Sequence, residues 1–178
     1  VSIFARSLAD LVNWLRESNN ELALTSRVFD ESGQGIMITD ASTKILRVNQ
    51  AFLRIAGYTA QESIGKTPSI LRSGMQDAAF YQKLWNKLNR DGVWQGEIWN
   101  RHKNGNLYPE WLTIYSLKND KNEVTNYLAI FDDITEKKDY ERRLVHLANY
   151  DSLTDLPNRN LLQQFVGSLM QEALKTSG

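Results

Sequence analysis

Three strand-like segments, residues 94–100, 107–117 and 124–132, constrain this chain more than anything else in it, because Lys103-Asn104-Gly105-Asn106 joins the first two. Asn-Gly marks a tight turn, since both residues tolerate positive φ, and the flanking segments are expected to fold back as an antiparallel hairpin. A hairpin alone is marginal in water and needs further strands or a helix over its apolar face. The sequence supplies both. Gly35-Ile36-Met37-Ile38-Thr39 and Ile45-Leu46-Arg47-Val48 are short apolar runs parted by Asp40-Ala41-Ser42-Thr43, a second expected hairpin. Between the hairpins lie helix signals. Asn49 stands before residues 50–56 as an N-cap and Gly57 follows as a left-handed terminator. Residues 59–64 read as one helical turn stopped by Gly65. Asp77 caps an expected helix over 78–89, with Phe80, Leu84, Trp85 and Leu88 on one face. Two strands, several short helices and three strands make an α+β domain around an antiparallel sheet.

The flanks differ in character. Phe4, Leu8, Leu11, Leu15, Leu22 and Phe29 recur at alternating spacings of four and three, with Ser18 and Thr25 as polar interruptions. That is a heptad seam, which either packs on its own domain or pairs with a second copy. Past Asp133-Ile134-Thr135, a charged helix is expected over 136–149, with Tyr140, Leu144 and Leu147 as a short apolar stripe. Asp151 opens a segment that turns at Pro157-Asn158, and a last amphipathic helix over 161–174 carries Leu162, Phe165, Val166, Leu169 and Ala173 on one side. Such a helix cannot bury that face alone. The expected organisation is an amphipathic helix (1–29), the α+β domain (30–135), a linker helix (136–150) and the start of a further domain (151–178).

Composition sets the outer limits. A chain of 178 residues buries one core plus extra helices, hardly two complete domains. Lys+Arg and Asp+Glu are 21 each, so no net field draws the chain to nucleic acid or anionic lipid, and no basic stripe supports a nucleic-acid binder. No apolar run is long enough to span a bilayer and the start lacks the form of a signal peptide. A cytoplasmic location without membrane contact is therefore expected of this stretch, whatever anchor a longer parent carries. Absence of cysteine removes disulfides, thiolate metal sites, cysteine nucleophiles and thiol photochemistry. Glu97, Glu110 and the other carboxylates fall in no spacing that reads as a metal site or an acid–base pair. No phosphate-cradling loop with Lys and Ser/Thr occurs. No catalytic or metal-binding residue is nominated.

Several local strings follow one another in a familiar order: Val48-Asn49-Gln50-Ala51-Phe52, Gly57-Tyr58, Glu62-Ser63-Ile64-Gly65-Lys66, Trp94-Gln95-Gly96-Glu97, Arg101-His102-Lys103-Asn104-Gly105 and Asp132-Asp133-Ile134-Thr135. The ordered set resembles PAS sensory domains. The resemblance implies a PAS fold: a five-stranded antiparallel sheet with short helices on one face, flanked by N- and C-terminal linker helices that form a homodimer. Asp151-Ser152-Leu153-Thr154-Asp155-Leu156-Pro157-Asn158-Arg159 resembles the opening motif of GGDEF domains, whose diguanylate cyclases condense two GTP molecules into cyclic di-GMP. Only the opening motif is present, so this fragment is expected to be catalytically inert. Its parent would make cyclic di-GMP, or degrade it if another domain follows.

The same resemblance nominates residues. Asn49, Trp85, Trp94 and Asn100 (with Arg101 beside it) look like positions that flavin-binding PAS sensors use, and Arg72 like a basic contact near a dinucleotide. Amides can bond a flavin edge and a Trp can wall its ring, which makes FAD the cofactor candidate and leaves a small metabolite as the other occupant. Most aromatics here also read simply as core. Haem is disfavoured: the 78–89 helix has no histidine, and His102 and His146 read as solvated or capping residues. Asp133 and Thr135 resemble the PAS residues that tie the last strand to the output helix, a role short polar side chains at a helix start can fill. Two function classes stay open: a ligand or redox sensor regulating a cyclic di-GMP enzyme, and a ligand-free dimerisation and spacing module.

Overall fold

The capping side chains named above do form caps. In the computed structural model, which describes residues 3–151, 154–159, 161–163 and 166 and side-chain surroundings from residue 11 on, Asn49 accepts from Phe52 N at the head of α2 (Gln50–Ala56). Thr59 forms a capping box with Glu62 over α3 (Ala60–Ser63). Asp77 accepts from Phe80 N to start α4 (Ala78–Asp91), which runs two residues past Asn89 to a left-handed Gly92. Each cap satisfies a donor that the first helical turn leaves open.

The strands are β1 (Gly35–Asp40), β2 (Ile45–Val48), β3 (Val93–Arg101), β4 (Leu107–Lys118) and β5 (Val124–Asp133), with a 3-10 turn at Pro68–Leu71. They form one antiparallel sheet in the order β2-β1-β5-β4-β3. The β3–β4 turn departs from a two-residue Asn-Gly reversal. His102 N donates to Asn106 O and Gly105 N to His102 O, and Gly105 is the residue with positive φ while Asn104 keeps a negative one. The loop is thus a turn closed by a left-handed glycine, one residue longer than the simplest reading. One sheet face packs on the helices: Phe52, Leu84 and Leu88 meet Met37, Ile98, Leu112 and Phe131 in a single core.

The chain divides after Asp133 into two units. In the first, α1 (Ile3–Glu31) touches the sheet domain through its last turns. The Arg47 guanidinium lies 4.1 Å from the Phe29 ring centroid and donates to Ser26 Oγ, and Asn49 Nδ2 donates to Phe29 O. Phe29, counted in the seam, is therefore held by its own domain. Farther up, Leu11, Leu15 and Leu22 are 52%, 47% and 66% exposed.

In the second unit, α5 (Thr135–Asn149) starts from Ile134, whose side chain makes no cap. Asp133 and Thr135, the residues nominated to tie β5 to this helix, flank that position on either side. Beyond α5, Asp151 Oδ1 accepts from Thr154 N and Oγ1, and Asn158 donates to Ala148 O while its Oδ1 accepts from Leu161 N. Asp151 and Thr154 are thus bonded to each other, and Asn158 caps the segment at Leu161. Phe165, Leu169 and Ala173 lie outside the described residues.

Candidate functional site

Side chains alternate across a strand, so one parity of β3, β4 and β5 turns inward together. Ile98 and Asn100, Glu110, Leu112 and Ile114, and Tyr127, Ala129 and Phe131 make one wall of a cavity of about 280 Å3. The 3-10 turn with Leu71 and Arg72, and α4 with Tyr81, Leu84 and Trp85, make the other. Trp85 meets Tyr127 edge-on across the space, ring centroids 5.4 Å apart. The Arg72 guanidinium is exposed and stacked 4.3 Å above the Tyr81 ring, while its backbone bridges to Asn100.

Of the five nominated pocket residues, Arg72, Trp85 and Asn100 come together on this cavity. Asn49 and Trp94 do not. Asn49 is fully buried elsewhere: Oδ1 accepts from Ile36 N and Phe52 N, and Nδ2 donates to Phe29 O and Gln34 O. Both oxygen lone pairs and both amide hydrogens are used, so nothing remains for a ligand. The residue clamps α1, β1 and α2. Trp94 faces inward but lies flat along β3, so close over Gly96 that a Cβ there would come within 2.9 Å of the indole, and packs edge-on against Phe80. It is core.

One group went unnominated. Glu110 is 1% exposed, lines the cavity, and its Oε2 has no hydrogen-bond partner. It stands opposite Ile98 on β3 and Asp133 on β5. Burial pushes its carboxyl up to about 8; the Asn100 and Tyr108 side chains pull the other way and the Asp133 charge adds to the rise. Desolvation dominates because a buried carboxylate without a cation is costly. The neighbouring Tyr108 hydroxyl is also buried, and burial together with the Glu110 carboxyl beside it holds it more strongly protonated than an ordinary phenol. Neither histidine of the chain lines the cavity: His102 accepts from Asn104 N through Nδ1, and His146 pairs with Asp155. Among the described residues no cluster of His, Asp and Glu could hold a metal, and no helix is long and apolar enough to cross a membrane.

This five-stranded antiparallel sheet, with its C-terminal strand in the middle and a pocket between its inner face and α4, is the architecture of a PAS domain. The family model described as PAS domain matches residues 33–136, and the chain belongs to that family. It is 30% identical over 115 residues to a nitrogen fixation regulatory protein of Klebsiella oxytoca, covering 65% of this chain and 23% of that protein. It is 28% identical over 160 residues to the cyclic di-GMP phosphodiesterase PdeR of Escherichia coli K12, covering 89% of this chain and 24% of that protein. A PAS domain crystal structure from Colwellia psychrerythraea superposes with a TM-score of 0.61 at 23% identity, covering 65% of this chain and 98% of that one. The chain thus spans about a quarter of these two curated relatives.

Proposed function

We propose that this chain is the sensory module of a cyclic di-GMP signalling protein, in which the occupant of the PAS cavity governs a GGDEF output domain through β5 and the α5 linker helix. The observation that carries the sensor reading is the cavity itself, with Arg72, Asn100 and Glu110 set among apolar walls. The output reading rests on the turn at Asp151–Asn158 and on similarity to PdeR that runs well past the PAS residues. Glu110 pairs with Asp133 in the β4–β5 ladder, which puts a cavity group directly opposite the residue nominated for relay. The exposed Leu11, Leu15 and Leu22 support a homodimer through α1, within which a shift of the linker would change how two outputs meet.

Asn100, Trp85 and Arg72 still suit a flavin, although Asn49 and Trp94 no longer contribute to its pocket. The test has two arms. A visible spectrum of freshly purified protein decides between flavin and a colourless occupant. In the full-length protein, Asp133→Ala should alter basal or stimulated cyclic di-GMP output; unchanged output in both states refutes the relay.

A further inference from the structure

The cavity holds one acid that it does not neutralise. Glu110 lines it with an Oε2 that has no hydrogen-bond partner, among apolar walls of Met37, Leu84, Trp85, Leu112 and Phe131 and the polar side chains of Thr39, Thr67, Ser69 and Asn100. Among the described lining residues Arg72 is the one base, and its guanidinium is exposed and spent on the Tyr81 face. The charged and titratable groups around Glu110 are Asp133 from β5, Tyr108 on its own strand, and Arg72 and Tyr81 from the helical side. A buried carboxyl with one oxygen left unbonded is a standing cost that the right occupant would remove. A buried acid with no cation turned inward among the described lining residues selects a positive partner over a neutral one.

We propose that Glu110 is the recognition group of this cavity and that the ligand is a small organic ammonium: one or two apolar rings carrying a protonated amine. This deepens the sensor reading above and rests on it. The size follows from the space, since an apolar cavity of about 150 Å3 takes one benzene ring and this one is about 280 Å3. The apolar body would lie between Leu84 and the inner sheet, beside the Trp85–Tyr127 contact, and the ammonium would stabilise the ionised Glu110. Occupancy would thereby reset the charge that faces Asp133 across the β4–β5 ladder.

Three probes of matched shape test it by calorimetry: phenethylamine, 2-phenylethanol and propylbenzene. Because burial keeps the proton on Glu110 near neutrality, the ammonium should displace it, releasing the larger part of one proton per ligand at pH 7. That release is measured on the wild-type protein in two buffers of different ionisation heat. Phenethylamine affinity should rise about tenfold per pH unit between pH 6 and pH 7, then level above pH 8. Glu110→Gln should abolish the release and bring phenethylamine down to the affinity of propylbenzene. If 2-phenylethanol binds as tightly as the amine, or the amine binds without proton release, the ammonium assignment fails and the ligand cavity stands. If none of the three binds, the ligand-cavity reading fails with it.

Discussion

The protonated Glu110 carboxyl makes folding stability depend on pH in an unusual direction. An unfolded glutamate gives up its proton near 4.5, whereas in the folded chain Glu110 keeps it to about 8. Between those values the folded state holds a proton that the unfolded state has lost, so stability falls as pH rises. Below the window both states are protonated and above it neither is, so the contribution is flat on each side. Each pH unit inside the window costs about 1.4 kcal/mol, and from pH 5 to pH 8 the loss is on the order of 4 kcal/mol. Most ordinary carboxylates act the other way, gaining stability above their unfolded pKa. The perturbation that isolates the effect is Glu110→Gln, which keeps shape and removes the titration. Urea unfolding of both proteins, followed by tryptophan fluorescence from pH 5 to pH 9, gives the difference curve in which shared titrations cancel. That difference should move against the wild type by roughly 4 kcal/mol and level off above pH 8. Parallel curves would refute the reasoning, because they would mean that Glu110 titrates alike in the folded and unfolded chains.

Three further outcomes are expected. Asn49→Ala strips partners from Ile36 N, Phe52 N, Phe29 O and Gln34 O, and should lower the unfolding free energy by about 3 kcal/mol; a loss below about 1 kcal/mol in urea unfolding contradicts the clamp. Gly35→Ala drives a Cβ to 2.5 Å from the Phe131 ring, which is buried and cannot retreat. Overpacking there should cost about 2 kcal/mol, read as a lower denaturant midpoint at unchanged slope. Charging the α1 seam with Leu15→Lys and Leu22→Lys should convert a dimer to a monomer in light scattering; an unchanged mass assigns dimerisation to another surface.

Much of the fold was legible because its punctuation is local. Asn49, Thr59 and Asp77 cap through atoms three residues away, and Gly57 and Gly92 end helices through their own backbone, so neighbours in sequence suffice. The site was legible only in part. Asn49 carries the chemistry of a ligand residue, yet its four bonds reach partners 20, 15, 13 and 3 residues away, and only the assembled fold reveals that they are filled. Trp94 has the right parity, but its indole turns along β3 over Gly96. Glu110 had a signal that was overlooked: it shares parity with Tyr108, Leu112 and Ile114. The alternation was masked because Leu107, Trp111, Tyr115 and Leu117 make the opposite face of β4 apolar too, and each is more than 40% exposed.

The place of β5 in the middle of the sheet has a mechanical consequence. Gly35, the first residue of β1, is registered with Phe131 near the end of β5, and Gln34 Nε2 donates to Asp132 Oδ2 just outside that pair. The chain therefore enters and leaves the sheet side by side, at one end of a single ladder. Tension between the two flanking segments would load that ladder as a zipper, one rung at a time from Phe131 toward Asn126, and not as a sheared stack that must fail at once. The first rungs to yield sit beside Asp133, opposite Glu110, while the β3–β4 hairpin bears no load. A module wired this way responds to small forces at its ends and keeps its far edge intact.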